Sequence, residues 1–423
     1  MLIDREPVLL LVVIGMFTTF ILLLTTFIPP PPDTLKNVRC ALLSAGYNVQ
    51  AVTTRLGFPS SLPVSAVLIN FNNNNNNNNN IFPPTPPSTP LDAIIALFSL
   101  SQSIEFLPSL SNLKKSLLDS NFVVANTDTT FSPTVLITPF ATNNGHDLLF
   151  ITDLHPSVSK TCENSVMYVG PDTVACAKHV SQQAPPPASI LDLCCGCGVQ
   201  GFVAYFQNLV SDFPPPSLTF VDVNERCLQF TKMNAVMNQI DSQIVTVGHD
   251  LSSVHPLPLE GLFDLILANP PYVPTPPNLR SRNGLYVDGG ENGERLLKLV
   301  IQAVSLHLDS DGLAIIVSEF MNPESFENIM SSWWSTAGES PNSFSAKFCT
   351  NKKTLTAASY SQKRGGEGDA AAWLSHLNTL SIEQIVVGLL FLRRTETRNF
   401  ERVVCDGLFA PYRANNIKKL GKF

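Results

Sequence analysis

The segment Asn269-Pro270-Pro271-Tyr272 combines residue types that could hold a planar NH2 group for reaction. It follows FDLILA at residues 263–268, an apolar run that predicts a buried strand. Two prolines at a strand end stop the ladder and fix φ, which aims the neighbouring carbonyl groups into the crevice beyond the strand. The Asn269 side-chain oxygen and the Pro270 carbonyl could then accept both N–H groups of an amide or aromatic amine, and Tyr272 could stack on its plane. A simple turn is the alternative interpretation.

The two acceptors also indicate which chemical step they would favour. An amide or ring-amine nitrogen is a poor nucleophile because its lone pair is delocalised. The acceptors strengthen as positive charge develops on that nitrogen, so they stabilise the transition state more than the ground state. The segment therefore predicts group transfer to nitrogen without a strong general base.

A glycine-rich loop follows another predicted strand, SILDL at residues 189–193. Its glycines let the backbone approach a ligand, and the helix that starts after them supplies free N–H donors. Taken alone, Gly196-x-Gly198-x-x-Gly201 also matches a dinucleotide fingerprint. Asp192, however, lies in the strand end ahead of the glycines, where a carboxylate favours a ligand with ammonium and sulfonium groups over a pyrophosphate. That charge pattern belongs to S-adenosylmethionine (SAM).

Two further acids lie at the ends of the strand patterns predicted next along the chain, LTFVDV and VTVGHDL. Asp222 could accept from both hydroxyls of a ribose, although a helix N-cap is the alternative interpretation. Asp250 could accept from an adenine amino group. In this order and spacing, the three acids support one another as a nucleoside-cofactor site.

The elements that must position these residues begin near Val174, where predicted strands start to alternate with helices. This alternation is typical of a doubly wound, mostly parallel α/β sheet. We expect the domain to span residues 172–410, with its last strand at IVVGLLFL and a loop insertion from Asn351 to Ala370.

Four segments flank this domain. Residues 1–28 include an uncharged apolar stretch long enough to cross a bilayer core of about 30 Å, which predicts a membrane anchor or organelle-targeting segment with a cytosol-facing catalytic domain. Residues 29–90 are rich in proline and hold nine consecutive asparagines, which predicts a disordered linker. Residues 91–171, with a helical pattern and two strand patterns, predict a small accessory subdomain over the site. Residues 411–423 form a basic tail.

Charge and cysteine content exclude some classes of function. The net charge of -7 shows no basic excess, which counts against a nucleic-acid binder. Three of the nine cysteines crowd together as Cys194, Cys195 and Cys197, but no second cluster at metal-ligand spacing exists. We therefore predict no metal site.

Together, ILDLCCGCG, the two acidic strand ends and NPPY resemble the class I SAM-dependent methyltransferases of the amino-group type. DGGENG at 288–293 and GPDT at 170–173 resemble the release-factor glutamine methyltransferases within that group. The family usually has glycine where this chain has Cys194. The resemblance implies a Rossmann-like, seven-stranded sheet and SAM as cofactor. It implies catalytic roles for Asn269, Pro270, Pro271 and Tyr272, and cofactor binding by Asp192, Cys194, Gly196, Gly198, Asp222, Val223, Asp250, Leu251 and Asn269.

The resemblance leaves the methyl acceptor open. It favours N5 of a protein glutamine, for example in a translation factor. The same motif serves N6-adenine and N2-guanine methyltransferases, in which RNA or DNA must present an unpaired base. A third hypothesis is a membrane-anchored scaffold that has lost catalysis, which only Cys194 and the extensions suggest.

Overall fold

A computed structural model describes residues 28–56 and 87–405, apart from short gaps at 157, 160–162, 181–185, 254–256, 283, 336–337 and 339. The predicted anchor up to residue 27, the asparagine run and the basic tail lie outside the described residues. No helix within the described ranges is long and apolar enough to cross a membrane.

The described chain forms ten α-helices and fourteen strands. The helices are α1 (Pro32–Ser44), α2 (Val49–Arg55), α3 (Pro90–Ile94), α4 (Ser111–Asp119), α5 (Pro171–His179), α6 (Val199–Gln207), α7 (Glu225–Met237), α8 (Arg295–His307), α9 (Phe326–Ser335) and α10 (Ala357–Thr379). The strands are β1 (Ile104–Glu105), β2 (Val123–Ala125), β3 (Thr130–Pro133), β4 (Val135–Ala141), β5 (Asp147–Asp153), β6 (Ser189–Leu193), β7 (Ser217–Asp222), β8 (Ile244–Gly248), β9 (Phe263–Ala268), β10 (Leu308–Met321), β11 (Phe344–Asn351), β12 (Leu355–Thr356), β13 (Gln384–Arg394) and β14 (Asn399–Cys405).

The central sheet has the order β14-β11-β13-β10-β9-β6-β7-β8, with β12 paired to β13. The five neighbouring strands β10, β9, β6, β7 and β8 are parallel to one another. Strand β13 runs antiparallel to its two long neighbours, β10 and β11. This arrangement confirms the predicted mostly parallel α/β sheet. The predicted number of seven strands is wrong, because β12 and β14 extend the sheet to nine. β14 alternates exposed and half-buried residues at the sheet edge, so its sequence NFERVVC lacks the apolar run of an inner strand.

The order of the strands creates the crevice. β6 pairs with β7 on one side, where Leu193 lies opposite Val221, and with β9 on the other, where Leu193 lies opposite Ala268. After β6 the chain first adds strands on one side, β7 and β8, and then crosses to the other side to form β9. The carboxyl end of β6 is therefore a topological switch point. The glycine loop, the Asp222 strand end and NPPY meet at this edge.

Helices α1 and α2 correct the prediction of a disordered linker over residues 29–90. Leu35, Val38 and Leu42 recur at helical spacing on α1 and are fully buried. Tyr47 follows α1, and its buried hydroxyl donates to the Ile137 carbonyl oxygen at 2.7 Å. The composition of the whole segment, dominated by proline and asparagine, concealed this short amphipathic pattern. The linker prediction is untested over residues 57–86, which lie outside the described part of the chain.

The accessory region confirms the predicted strands VLITPF and DLLFIT as the hairpin β4–β5. Two asparagines of the α7 segment dock this hairpin. Asn234 accepts from the Ile151 N–H at 2.7 Å and donates to the Ile151 carbonyl at 3.1 Å. Asn238 makes the same pair of bonds to Leu149, at 3.0 and 2.9 Å. The hairpin thus shares its hydrophobic core with the catalytic sheet.

Helix α10 replaces the loop insertion predicted from Asn351 to Ala370. The helix bends at Gly366, whose φ of 56° and ψ of -150° are open to glycine. Its buried Tyr360 and Trp373 pack edge to face, with ring centroids 6.1 Å apart. The glycines of SQKRGGEG favoured a loop in the sequence, whereas burial of the two aromatic rings stabilises the helix.

Candidate functional site

A cavity of about 470 Å³ lies at the carboxyl ends of β6, β7 and β9, within the size range of small-molecule sites. Most of the predicted site residues line it: Cys194, Gly196, Asp222, Val223, Asp250, Leu251, Asn269, Pro270, Pro271 and Tyr272. Asp192 and Gly198 do not. The structure therefore brings the glycine loop, two acidic strand ends and the NPPY segment to one crevice.

Asp222 is held at the tip of β7 by backbone donors. Its Oδ2 accepts from the Gly196 N–H and its Oδ1 from the Asn224 N–H, each at 2.9 Å. Asn224 is the N-cap of α7, since its side chain accepts from the Arg226 N–H at 3.1 Å. The N-cap interpretation of Asp222 is therefore wrong. A carboxylate has lone pairs beyond these two bonds, which can accept from ligand hydroxyls.

Asp250 and its neighbour Leu251 line the cavity beside Val223. Asp250 Oδ1 accepts from the Ser252 N–H and hydroxyl, each at 2.8 Å. These bonds lower the pKa of Asp250 and keep it ionised. Val223 is 57% exposed although it is apolar, which suits contact with a flat aromatic ring.

Asp192 differs from its predicted role as a direct ligand of the cofactor. Its carboxylate is fully buried and accepts from the Gly201 N–H at 2.9 Å, so it holds the start of α6. Its other oxygen lies 3.5 Å from Gln200 Nε2, a long contact that directs the NH2 of this side chain towards Asp192. Gln200 lines the cavity, and its buried Oε1 accepts no hydrogen bond from the described residues. A buried oxygen without a hydrogen-bond donor is suited to accept from a ligand group such as an ammonium.

The glycine loop contains one non-glycine residue with a left-handed backbone. Cys194 has a φ of 54°, a conformation that costs a side-chain-bearing residue about 1 kcal/mol. Burial raises the pKa of its thiol, so Cys194 acts as a small apolar group. Gly198 has a structural role instead of the predicted cofactor contact. Its φ is 83°, and a Cβ there would lie 2.7 Å from the Phe202 ring.

Asn269 presents its side-chain oxygen as an acceptor. Its Nδ2 donates to Asp172 Oδ2 at 3.2 Å and to Thr173 Oγ1 at 3.1 Å. No described residue donates to its Oδ1. Because a carboxylate can only accept, the amide NH2 must face Asp172 and the oxygen must face away. This is the orientation that an N–H-bearing substrate requires.

Tyr272 is fixed through both its hydroxyl and its backbone. The hydroxyl donates to Asp172 Oδ2 at 3.1 Å, and burial together with nearby acids raises its pKa, so it keeps its proton. A Cβ on Gly289 would lie 2.6 Å from the Tyr272 backbone, and one on Gly293 would lie 2.5 Å from its carbonyl oxygen. The DGGENG loop therefore supports NPPY by close packing that only glycine allows.

Sequence reasoning missed several cavity residues. Some come from the segment before α5 and from the segment before the DGGENG loop, which are joined by a bond from the Leu285 N–H to the Glu163 carbonyl at 3.1 Å. Others lie in α5, α6 and α10. The GPDT and DGGENG motifs beside these segments were the available signal. The missed residues include Met167, Tyr168, Asp172, Thr173, Gln200, Tyr286 and Arg364.

Arg364 brings a positive charge to the cavity, but that charge is already paired. Its Nη2 donates to Glu319 Oε1 at 2.9 Å and its Nε to the Tyr360 hydroxyl at 3.2 Å.

The described residues contain no group of acids, histidines and cysteines that could hold a metal ion.

Comparison with known proteins gives matches to methyltransferases. Residues 173–278 match the methyltransferase small domain family. The ribosomal protein uL3 glutamine methyltransferase of Bradyrhizobium diazoefficiens is 30% identical over 130 residues, which cover 29% of this chain and 38% of that protein. The release factor glutamine methyltransferase of Aquifex aeolicus is 27% identical, over 25% of this chain and 38% of that protein. The ribosomal RNA small subunit methyltransferase C of Mannheimia succiniciproducens is 29% identical, over 31% of this chain and 32% of that protein.

These matches confirm the predicted SAM-dependent methyltransferase class for this region of the chain. The chain covers less than half the length of each of these relatives. Their names include methyltransferases of protein glutamine and of ribosomal RNA, so they do not decide between the two acceptors.

Proposed function

We propose that this chain, whose residues 173–278 match the methyltransferase small domain family, methylates the side-chain amide nitrogen of a protein glutamine with SAM as donor. The observation that carries the proposal is the orientation of Asn269. Its NH2 is bound by Asp172 and Thr173, so its oxygen remains to accept an N–H of the substrate.

The cavity residues fit SAM. Asp222 offers a carboxylate to ribose hydroxyls, and Gln200 Oε1 is a buried acceptor without a donor among the described residues. Val223 and Leu251 give apolar surface beside Asp250, as an adenine ring with an amino group requires. The volume of about 470 Å³ leaves room for a cofactor and the end of a side chain.

The residues of NPPY bind and orient the acceptor. When bound, SAM supplies a methyl group on a sulfonium, which the acceptor nitrogen attacks in line. Asn269 Oδ1 and the Pro270 carbonyl accept the two N–H groups and stabilise the positive charge that develops on nitrogen. Tyr272 and the pyrrolidine ring of Pro271 confine the planar group and exclude water from it. The methylated nitrogen then releases a proton without a dedicated base.

The charges around the cavity favour a protein acceptor over a nucleic acid. Nucleic-acid binding depends on lysine and arginine contacts to phosphates. Four acids (Asp172, Asp222, Asp250 and Asp288) and two arginines (Arg295 and Arg364) line this cavity, and Arg364 is paired with Glu319. This excess of acids favours a neutral glutamine side chain over a phosphate backbone.

A labelling experiment tests the acceptor class. The full-length protein is incubated with SAM carrying a tritiated methyl group and with extract of the cells that produce it, and the products are treated with protease or nuclease. We expect protease to release the label, and the Asn269→Ala variant to incorporate none. Release by nuclease would instead identify an RNA or DNA methyltransferase. Absence of label in both fractions, with SAM still bound, would support the inactive scaffold.

A further inference from the structure

The carboxylate of Asp172 joins the two side chains of NPPY that face the substrate. Its Oδ2 accepts from Asn269 Nδ2 at 3.2 Å and from the Tyr272 hydroxyl at 3.1 Å. Thr173, the next residue, supplies a second acceptor for Asn269 Nδ2 at 3.1 Å. One short segment ahead of β6 thus contacts both residues directly.

The chemistry of this contact determines which end of the Asn269 amide faces the substrate. A carboxylate accepts and does not donate, so the amide must direct its NH2 to Asp172. An amide turned by 180° would set NH2 against the NH2 of a substrate and leave two buried groups unpaired, which is costly. The contact therefore decides whether the site accepts N–H donors or rejects them.

The local structure is built to hold this carboxylate. Asp172 lies in the first turn of α5, where the helix dipole stabilises a negative charge, and only 9% of the residue is exposed. A Cβ on Gly170 would lie 2.5 Å from Asp172 Oδ1, so glycine at that position makes room for the carboxylate. The hydroxyl of Tyr272, protonated in its buried site, is a second donor that limits rotation of the carboxylate.

We propose that Asp172 is a positioning residue that sets the orientation of the Asn269 amide and thereby makes the site selective for an acceptor nitrogen bearing N–H groups. This inference rests on the proposed function for its catalytic consequence. Its structural part, the orientation of one side chain, stands without any assumption about the acceptor.

The structural part is tested by NMR on the full chain labelled with ¹⁵N-asparagine. The Asn269 side-chain NH2 signals are identified as the pair that disappears in the Asn269→Ala variant. We expect the Asp172→Ala substitution to shift these signals and to speed exchange of their protons with solvent by at least about tenfold. Glu163→Gln, which removes an exposed carboxylate from the segment ahead of α5, should leave them unchanged. Unaltered Asn269 signals in Asp172→Ala would contradict the proposal, whatever the acceptor is.

The catalytic part is tested by rates of tritiated methyl transfer to protein in cell extract at saturating SAM. We expect Asp172→Ala to lower the rate about 100-fold, as misplacement of a reacting group does, with the dissociation constant for SAM changed less than twofold. Asp172→Asn, whose side-chain oxygen can still accept a hydrogen bond, should recover part of the rate. It also replaces Asp172→Ala in this test if the alanine variant does not fold.

A double-mutant cycle separates positioning from an independent contribution. The cycle uses Asn269→Ser, which has no amide to orient but keeps a side-chain oxygen and a measurable residual rate. Asp172→Ala should add no loss to that of Asn269→Ser, because both act on the same acceptor. Losses that multiply would overturn the proposal. If the NMR shift is seen but the wild-type protein labels nucleic acid, Asp172 still positions Asn269 and only the glutamine acceptor is wrong.

Discussion

Acidic residues of this site act in two different ways that the sequence alone does not distinguish. Asp222 lines the cavity with lone pairs to spare, whereas Asp192 is buried behind it and holds the start of α6. Both lie at the carboxyl ends of neighbouring strands, so residue type and position predict a cofactor contact for each. Only the register of each strand end shows which carboxylate faces the crevice.

Asp222 gives a direct prediction for cofactor binding. Replacing it with alanine removes a charged acceptor of the ribose hydroxyls, a bond of about 1.5–3 kcal/mol. We expect SAM affinity to fall by roughly 10- to 100-fold in calorimetric titrations. Asp264→Ala, which removes a carboxylate bound to Ser189 at the opposite end of the sheet, is the control for general damage. Equal affinity in wild type and Asp222→Ala would show that the ribose binds elsewhere.

Glu294 gives a prediction for stability against pH. Burial raises its pKa from 4.5 to about 7. The folded state therefore binds more protons than the unfolded state between those values, and the free energy of unfolding falls as the pH rises through this window. The loss amounts to about 3 kcal/mol at most. Urea denaturation at pH 5 and pH 8 should show a smaller decline for Glu294→Gln than for wild type; an equal decline would contradict the assignment to Glu294.

At the scale of elements, the inner strands and the helices between them were predictable. The strands are short apolar runs, the helices repeat apolar residues at helical spacing, and both have clear ends. β6, β7, β9 and the helix after DGGENG are where the sequence predicts them. The misses have physical reasons. Helix α10 contains glycines that disfavour a helix, but the packing of Tyr360 and Trp373 stabilises it. Helix α1 is a short amphipathic helix whose pattern lies within a segment rich in proline and asparagine.

Helix α1 is expected to be part of the folded core. Leu42 is fully buried, so Leu42→Ala should lower the free energy of unfolding by about 2–5 kcal/mol. Asn37→Ala, at an exposed position of the same helix, should change it by less than about 0.5 kcal/mol. Chemical denaturation of the full chain measures both. Equal stability of the two variants would restore the linker interpretation of this segment.

The DGGENG loop is expected to act on catalysis through the backbone of NPPY. A Cβ at Gly289 would lie 2.6 Å from the Tyr272 backbone, so Gly289→Ala must displace the motif. We expect methyl-transfer rates to fall about 100-fold while SAM still binds. Gly368→Ala is the matched control, since a Cβ there meets nothing within 4 Å. A normal rate in Gly289→Ala would show that the loop does not support the site.

At the scale of the whole molecule, the sheet brings four distant parts of the chain to one edge. In the proposed function, the glycine loop and the Asp222 strand end hold the cofactor, and NPPY with the GPDT segment holds the acceptor. The residue types of NPPY indicated the reaction from sequence. The partners that orient them, Asp172 and Thr173, lie almost 100 positions away along the chain, and only the fold reveals that they are in contact.

The central claim, methyl transfer to a glutamine amide, is tested most directly by mass spectrometry. Full-length protein is incubated with SAM bearing a deuterated methyl group and with cell extract, and the digested proteins are searched for the labelled methyl. We expect it on the side-chain nitrogen of a glutamine, and absent when Asn269→Ala replaces the wild type. A labelled methyl on a nucleoside, on a lysine or arginine, or at equal level with Asn269→Ala would contradict the account.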